Sequence, residues 1–458
     1  MVDPRRLPAC LSRPDSVFLI LGIPFGLILL FLTPPFQIAD EHSHFHHAYT
    51  LSQGQVFPHP SPESGFSASG GAMPVNVERV VWTLPFCGLP GYPDRKVQRG
   101  DLARLFEIPL NASEMKHVAY PVAVYAPPPY LAPALGIWVG RLLNLPPILL
   151  LYLGRLCCFA AWVGMTWGAL RLMPVARWAL LLLALFPLTL AQGAGLTADS
   201  FVLGLSFLFT ATLLHYAWTP GLEVLRGRTY SVLLLLAVTL ALSKQAYLPL
   251  SLLVFLIPRE RFGAGRAYWG RLFLFFLLPF GIMLAWSVAV APAMREWLPD
   301  VDPLRQAQVM LVHPIDFLRA VARTLKEEQS MTKLFGRLGW EDTRMPETLV
   351  WFYLLGMAES AWYDPAGRRI RPGHRLFLFG VLGVSVLVLA MLLYMQWNPV
   401  GNGAVRGLQR GRYYLPFMPL LFVAMAGWRP RARRWVPLFL FVALIAALIL
   451  IARRYYAF

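Results

Sequence analysis

TPPFQIADEHSHFHHAYTLSQG, residues 33–54, follows directly on the first apolar run of the chain. Pro34 and Pro35 end that run: neither can continue its helix, although either can seat the first turn of the next one. Asp40 and Glu41 come next, then four histidines, His42, His44, His46 and His47. A helix starting near Gln37 would place Asp40, His44 and Ala48 on one face at i, i+4 spacing. If the preceding run leaves a bilayer here, that face offers carboxylates at a membrane surface, usable as a general base or as metal ligands. The plainer reading of the same residues is a solvated acidic–histidine loop beside a membrane helix.

Composition decides the class. The chain has 458 residues, of which 57% are hydrophobic and 14% charged, and its mean hydropathy is +0.54. Several runs approach or exceed the 18–20 apolar residues needed to cross a ~30 Å hydrocarbon core. The expectation is an all-α polytopic membrane protein. The formal charge of +17 does not point to nucleic acid, because the basic residues cluster in short loops between apolar runs, as the positive-inside rule produces. Cys10, Cys87 and the adjacent Cys157 and Cys158 suggest no disulfide framework. The run from Val17 to Leu32 follows Arg5, Arg6 and Arg13 and has no small-x-small cleavage site after it. It reads as an uncleaved first helix.

About eleven crossings can be drawn: 16–33, 127–143, 148–170, 178–191, 199–217, 230–257, 272–291, 347–363, 376–397, 413–428 and 435–452. The fourth is short and the sixth long. Polar insertions occupy 34–126, a large first external loop, and 292–346. With a cytoplasmic N-terminus, parity places three basic clusters inside: Arg259 to Arg271, Arg368 to Arg375, and Arg429 to Arg434. Both insertions then fall outside. The loop 398–412 breaks the pattern, since Arg406, Arg410 and Arg412 lie outside by the same parity. Either they are kept to bind an anion, or the count is wrong by one near Trp397. Arg171 and Arg177 are a weaker exception of the same kind.

Lys244 lies within the sixth crossing, in LALSKQAYLPL, where an ionisable group is costly and usually faces a cavity or a partner. No acid is visible in its own segment, and Pro249 suggests a kink. Asp199, in AQGAGLTADS, reads as a helix cap or first-turn acid, which parity puts on the opposite side from Asp40. Imidazoles and carboxylates suit zinc or manganese. The histidine spacings are helical, but they match no three-ligand motif. The Tyr120–Tyr130 stretch reads as interfacial anchors and turns. No phosphate-cradling glycine loop, GxSxG elbow or HExxH is present, so ATP-driven chemistry and serine hydrolysis have no support.

Taken together, five motifs resemble a bacterial membrane family known as domain of unknown function 2142. They are PPFQIADEHSHFHHAYTLSQG (34–54), YAPPPYLAPALG (125–136), SKQAYLPL (243–250), FGRLGWEDTRMP (335–346) and GLQRGRYYLPFMPLL (407–421). That family is similar to a branch of the GT-C glycosyltransferases, multi-helix membrane enzymes that use polyprenyl-phosphate-linked sugars. The resemblance implies a GT-C-like bundle in the bacterial inner membrane, with a glycan or lipid acceptor and its active site on the external face. It implies Asp40 as the catalytic base with Glu41 beside it. Lys244, Tyr247, Arg406, Arg410 and Arg412 would meet the donor phosphate, and His44 and Asp199 would support them. The resemblance leaves the metal requirement open; a divalent cation, Mg²⁺ or Mn²⁺, if one is used, would fall to Asp40, Glu41 and His44. The physical needs agree: a base for the acceptor hydroxyl and cations for the leaving phosphate. The competing class is a transporter or flippase of a lipid-linked envelope precursor, which should show repeated halves with paired broken helices.

Overall fold

In the computed structural model the described residues are 9–60, 69–83, 86–221, 224–225, 227–263, 265–293, 300–327, 331–366, 369–427 and 435–457. Arg5, Arg6, Arg368, Arg429, Arg431, Arg433 and Arg434 lie outside them. The protein is a multi-pass helical membrane protein. Among the described residues six helices are long and apolar enough to span a bilayer: Pro14–Leu32, Pro147–Leu172, Ala198–Trp218, Arg266–Ala293, Pro372–Trp397 and Val436–Tyr455. Five further stretches, 177–193, 227–243, 245–256, 347–362 and 413–425, run between the same two ends of the bundle but are shorter or broken.

Contacts fix the direction of each pass. Arg155, on Pro147–Leu172, donates to the carbonyls of Leu30, Thr33 and Pro34, at the end of the first helix. Arg177, after that helix, bonds back to the Met173 carbonyl at the far end. The chain then climbs through Arg177–Ala184 and Pro187–Gly193, and the Leu196 N–H reaches Glu41. The loop before Ala198–Trp218 therefore sits at the same end as the acid pair.

Two of the expected crossings are redrawn. Leu131–Leu142 does not cross: its 12 residues span about 18 Å, and it lies beside Glu41–Ser52, with Arg141 bonded to the Ser52 carbonyl. Leu131, Leu135, Trp138 and Leu142 are exposed along one side of it, which is why it reads as a membrane run. The stretch 230–257 is two passes, Gly227–Ser243 and the 3₁₀ helix Gln245–Leu256. At about 2.0 Å per residue, 12 residues of 3₁₀ helix cover roughly 24 Å, so a second pass fits where a hydropathy count allows one. Lys244 is the hinge between them, not the middle of a span. Exchanging one crossing for another moves Arg171 and Arg177 to the end that also holds Arg259, Arg261, Arg266 and Arg375, and they cease to be exceptions.

The first insertion carries a three-stranded antiparallel sheet in which Ser69–Pro74 pairs with His59–Pro60 and Met115–Ala119. The chain's last helix closes over this region. Arg454 pairs with Asp342 at 2.5 Å and donates to the Leu89 carbonyl. The Val97 N–H bonds to the Tyr455 carbonyl, and the Tyr456 hydroxyl to the Leu32 carbonyl.

Candidate functional site

The exit segment is held in an unusual backbone. Its helix begins at Glu41, not near Gln37, and Asp40 is the cap residue with φ 64°. Phe36 also has positive φ, at 62°, which is costly for a bulky residue unless its surroundings enforce it. They do: the Phe36 N–H donates to Glu41 Oε2 at 3.0 Å, and its carbonyl accepts from Trp340 Nε1 at 2.9 Å.

Glu41 is the anchor of that turn. Both it and Arg155 are fully buried, paired at 2.6 Å, and Glu41 Oε1 also accepts from Arg155 Nε at 2.8 Å and Leu196 N at 3.1 Å. Every oxygen lone pair that faces a donor is spoken for, so Glu41 is not presented to a ligand. Sequence reading missed Arg155, although the rule that flagged Lys244 also applies to a lone arginine in an apolar run.

Asp40 is different. Its side chain is 46% exposed, and it pairs with Arg412 Nη2 at 3.0 Å. Arg412 Nε lies 3.8 Å from Asp199 Oδ2, and Asp199 Oδ1 accepts from Lys244 Nζ at 2.7 Å. The result is a chain of alternating charge, Asp40–Arg412–Asp199–Lys244, drawn from four separate elements. Asp199 is thus beside Asp40, not across the membrane from it, and it is the acid partner that Lys244 lacked in the sequence. Tyr413 lies under both cations, its ring 4.7 Å from Lys244 Nζ and 5.1 Å from Arg412 Cζ. The Tyr247 hydroxyl donates to the Tyr413 carbonyl at 3.3 Å.

Electrostatics keep Asp40 ionised. Burial alone would raise its pKa, but the guanidinium of Arg412 first, and that of Arg410 with it, hold it below the ordinary carboxylate value. His44 is driven down to about 4, chiefly by burial, so it is a neutral ring whose Nδ1 meets the Tyr130 hydroxyl at 2.7 Å. His47 packs edge-on against the same tyrosine, and Tyr120 bonds Thr50 at 2.8 Å. The Tyr120–Tyr130 stretch therefore holds the exit helix in place. Asp40, Glu41 and His44 do not converge, and among the described residues no three histidine, cysteine or acidic side chains are arranged to hold a metal ion.

Beside Asp40 opens a small cleft lined by Ala39, Gln192, Lys333, Arg337, Glu341, Gln409, Arg410 and Arg412. Gly411 lies so close to the Leu334 carbonyl that a Cβ would collide with it. That approach brings the loop of Lys333 and Arg337 against the loop of Arg410 and Arg412. Arg410 is partly neutralised by Glu341 at 3.1 Å, and Gln192 Oε1 and Arg412 Nε are buried without a hydrogen-bond partner. Arg406 is exposed and does not join the cluster; its backbone N–H bonds to Asn398. Lys333 and Arg337 were not singled out from the sequence.

This fold and site define a polytopic helical membrane protein with a charged pocket at one end of its bundle. The chain belongs to the DUF2142 family of predicted membrane proteins, whose model matches residues 23–421. No curated protein and no solved structure matches it.

Proposed function

We propose that this is a membrane glycosyltransferase that moves a sugar from a polyprenyl-phosphate donor to a cell-envelope glycan or lipid, with Asp40 as general base. The observation that carries the reading is the placement of one half-exposed, ionised carboxylate at the rim of a cleft lined by Lys333, Arg337, Arg410 and Arg412. Transfer requires both. The acceptor hydroxyl gives its proton to Asp40 as its oxygen bonds to the anomeric carbon, and the bond from that carbon to the phosphate oxygen breaks. The phosphate departs with the electron pair, its charge met by arginine forks. A direct displacement inverts the anomeric centre. Glu41 orients the turn that presents Asp40 and takes no proton. The gathering of Arg171, Arg177, Arg259 and Arg261 at the opposite end supports, through the positive-inside rule, a site on the external face, here of a bacterial inner membrane.

A transporter or flippase is less well supported. Alternating access needs its substrate site near the bundle midplane between repeated halves, whereas this cluster sits at one end.

The test compares envelope glycans by mass spectrometry from cells with the gene, without it, and with Asp40→Asn. One sugar should be missing in the second and third, with transfer reduced by ~10²-fold or more at unchanged membrane abundance. Glycans that are identical in all three would end the proposal.

A further inference from the structure

Three aromatic rings gather beside the base: His42 and Trp340 are stacked, and Trp82 is tilted against His42. His42, two residues from Asp40, lies nearly parallel to Trp340, with ring centroids 5.8 Å apart and planes at 20°. Trp82 adds a third ring 6.0 Å from His42. Trp340 is fixed by its bond to the Phe36 carbonyl, so the stack is tied to the same strained turn that positions Asp40. Trp82 ends the helix Val75–Trp82 and remains 56% exposed. Neither the basic cleft nor the Asp199–Lys244 pair uses these rings.

We propose that Trp82, His42 and Trp340 form the acceptor subsite, a platform for a pyranose or furanose ring. Aromatic faces carry the negative lobe of the ring quadrupole, and one face of a sugar ring presents C–H bonds bearing partial positive charge. A sugar lying on such a platform turns its hydroxyl edge outward, here toward the Asp40 carboxylate. A protein partner would favour a larger continuous apolar patch, and a free phosphate would be drawn to the cations of the cleft. The two substrates are then separated: the donor's phosphate at the cleft of Arg410 and Arg412, the acceptor's ring at Trp82, His42 and Trp340, and Asp40 paired with Arg412 and two residues from His42. This inference rests on the glycosyltransferase reading.

The test is isothermal titration of the full chain, held in lipid nanodiscs, with oligosaccharides released by partial acid hydrolysis of the host's cell envelope. Wild type should bind saturably. Trp82→Ala should weaken binding by at least tenfold, and Trp82→Phe, which keeps a flat face, should recover most of it. An unchanged curve for Trp82→Ala overturns the platform. So does the absence of saturable binding to wild type, which would leave Trp82 as a headgroup anchor of the kind common at membrane interfaces. If the platform fails while Asp40→Asn still abolishes transfer, the enzyme reading survives. If binding follows Trp82 but Asp40→Asn transfers normally, the catalytic assignment falls and the sugar site stands.

Discussion

Glu41→Gln is the substitution that best separates an anchor from a catalyst. Glu41 Oε1 accepts from Arg155 Nε and Leu196 N, and Oε2 from Arg155 Nη2 and Phe36 N. Whichever oxygen becomes an amide nitrogen then faces two donors with a donor. The lost charge also leaves a fully buried guanidinium without its counter-ion. Breaking one partner of a buried pair costs about 3–5 kcal/mol, which is two to nearly four powers of ten in the folded-to-unfolded ratio, out of a typical stability of about 5–15 kcal/mol. Thermal unfolding of the solubilised protein, read as the monodisperse fraction in size-exclusion chromatography, should show Glu41→Gln melting far below wild type. Adding Arg155→Met should recover part of the loss, because the orphaned charge is removed while the carbonyls of Leu30, Thr33 and Pro34 still lack their donor; the pair should couple strongly in a double-mutant cycle. A Glu41→Gln protein that melts as wild type does but no longer transfers sugar would refute this reasoning and return Glu41 to the chemistry.

Lys244→Met removes the partner of Asp199 at 2.7 Å and should lower thermal stability, with Asp199→Asn added to it restoring much of the loss; independence of the two substitutions would show that the pair is not coupled. Arg412→Lys keeps a charge but cannot span Asp40 and Asp199 at once, so transfer should fall roughly 30- to 1,000-fold, as for the loss of one transition-state contact. Wild-type rates in Arg412→Lys would remove it from the site. Burial holds His44 down to about 4 and His46 and His47 to about 3. Unfolded histidines titrate near 6.5, so between about pH 6.5 and 4 the unfolded chain takes up protons that the native chain refuses. Stability should therefore fall steadily as pH is lowered through that window, and a melting midpoint constant from pH 7 to 4.5 would show that the rings are protonated or hydrated in the native state.

The sequence reads well where one residue type has one physical consequence. The apolar runs announce a membrane protein, two prolines mark the exit of the first helix, and three arginines on the wrong side of a parity count lead to Arg410 and Arg412. It reads badly where length is ambiguous. A 3₁₀ pass needs fewer residues than an α-helical one, so 230–257 looks like a single long crossing. The exposed leucines of Leu131–Leu142 look like another. Those two errors cancel after Arg259 but invert everything between 148 and 243, which is why Asp199 is expected on the wrong side. The Glu41–Arg155 pair spans 114 residues, and no local pattern encodes such a partnership.

The closure by the last helix has a bearing on biosynthesis. Asp342, Val97, Leu89 and Leu32 all receive contacts from residues 454–456. A ribosome delivers those partners in order, the first several hundred residues before the residues that complete them. Until positions 454–456 leave the exit tunnel, the Asp342 carboxylate and the loop carbonyls beside the pocket stay unsatisfied, and the turn carrying Trp340 lacks one of its supports. Such far-separated pairings are slow to form. The rim of the pocket therefore stays incomplete until residues 454–456 have emerged, and a translocon or chaperone that releases the earlier segments first would release them with an unfinished rim.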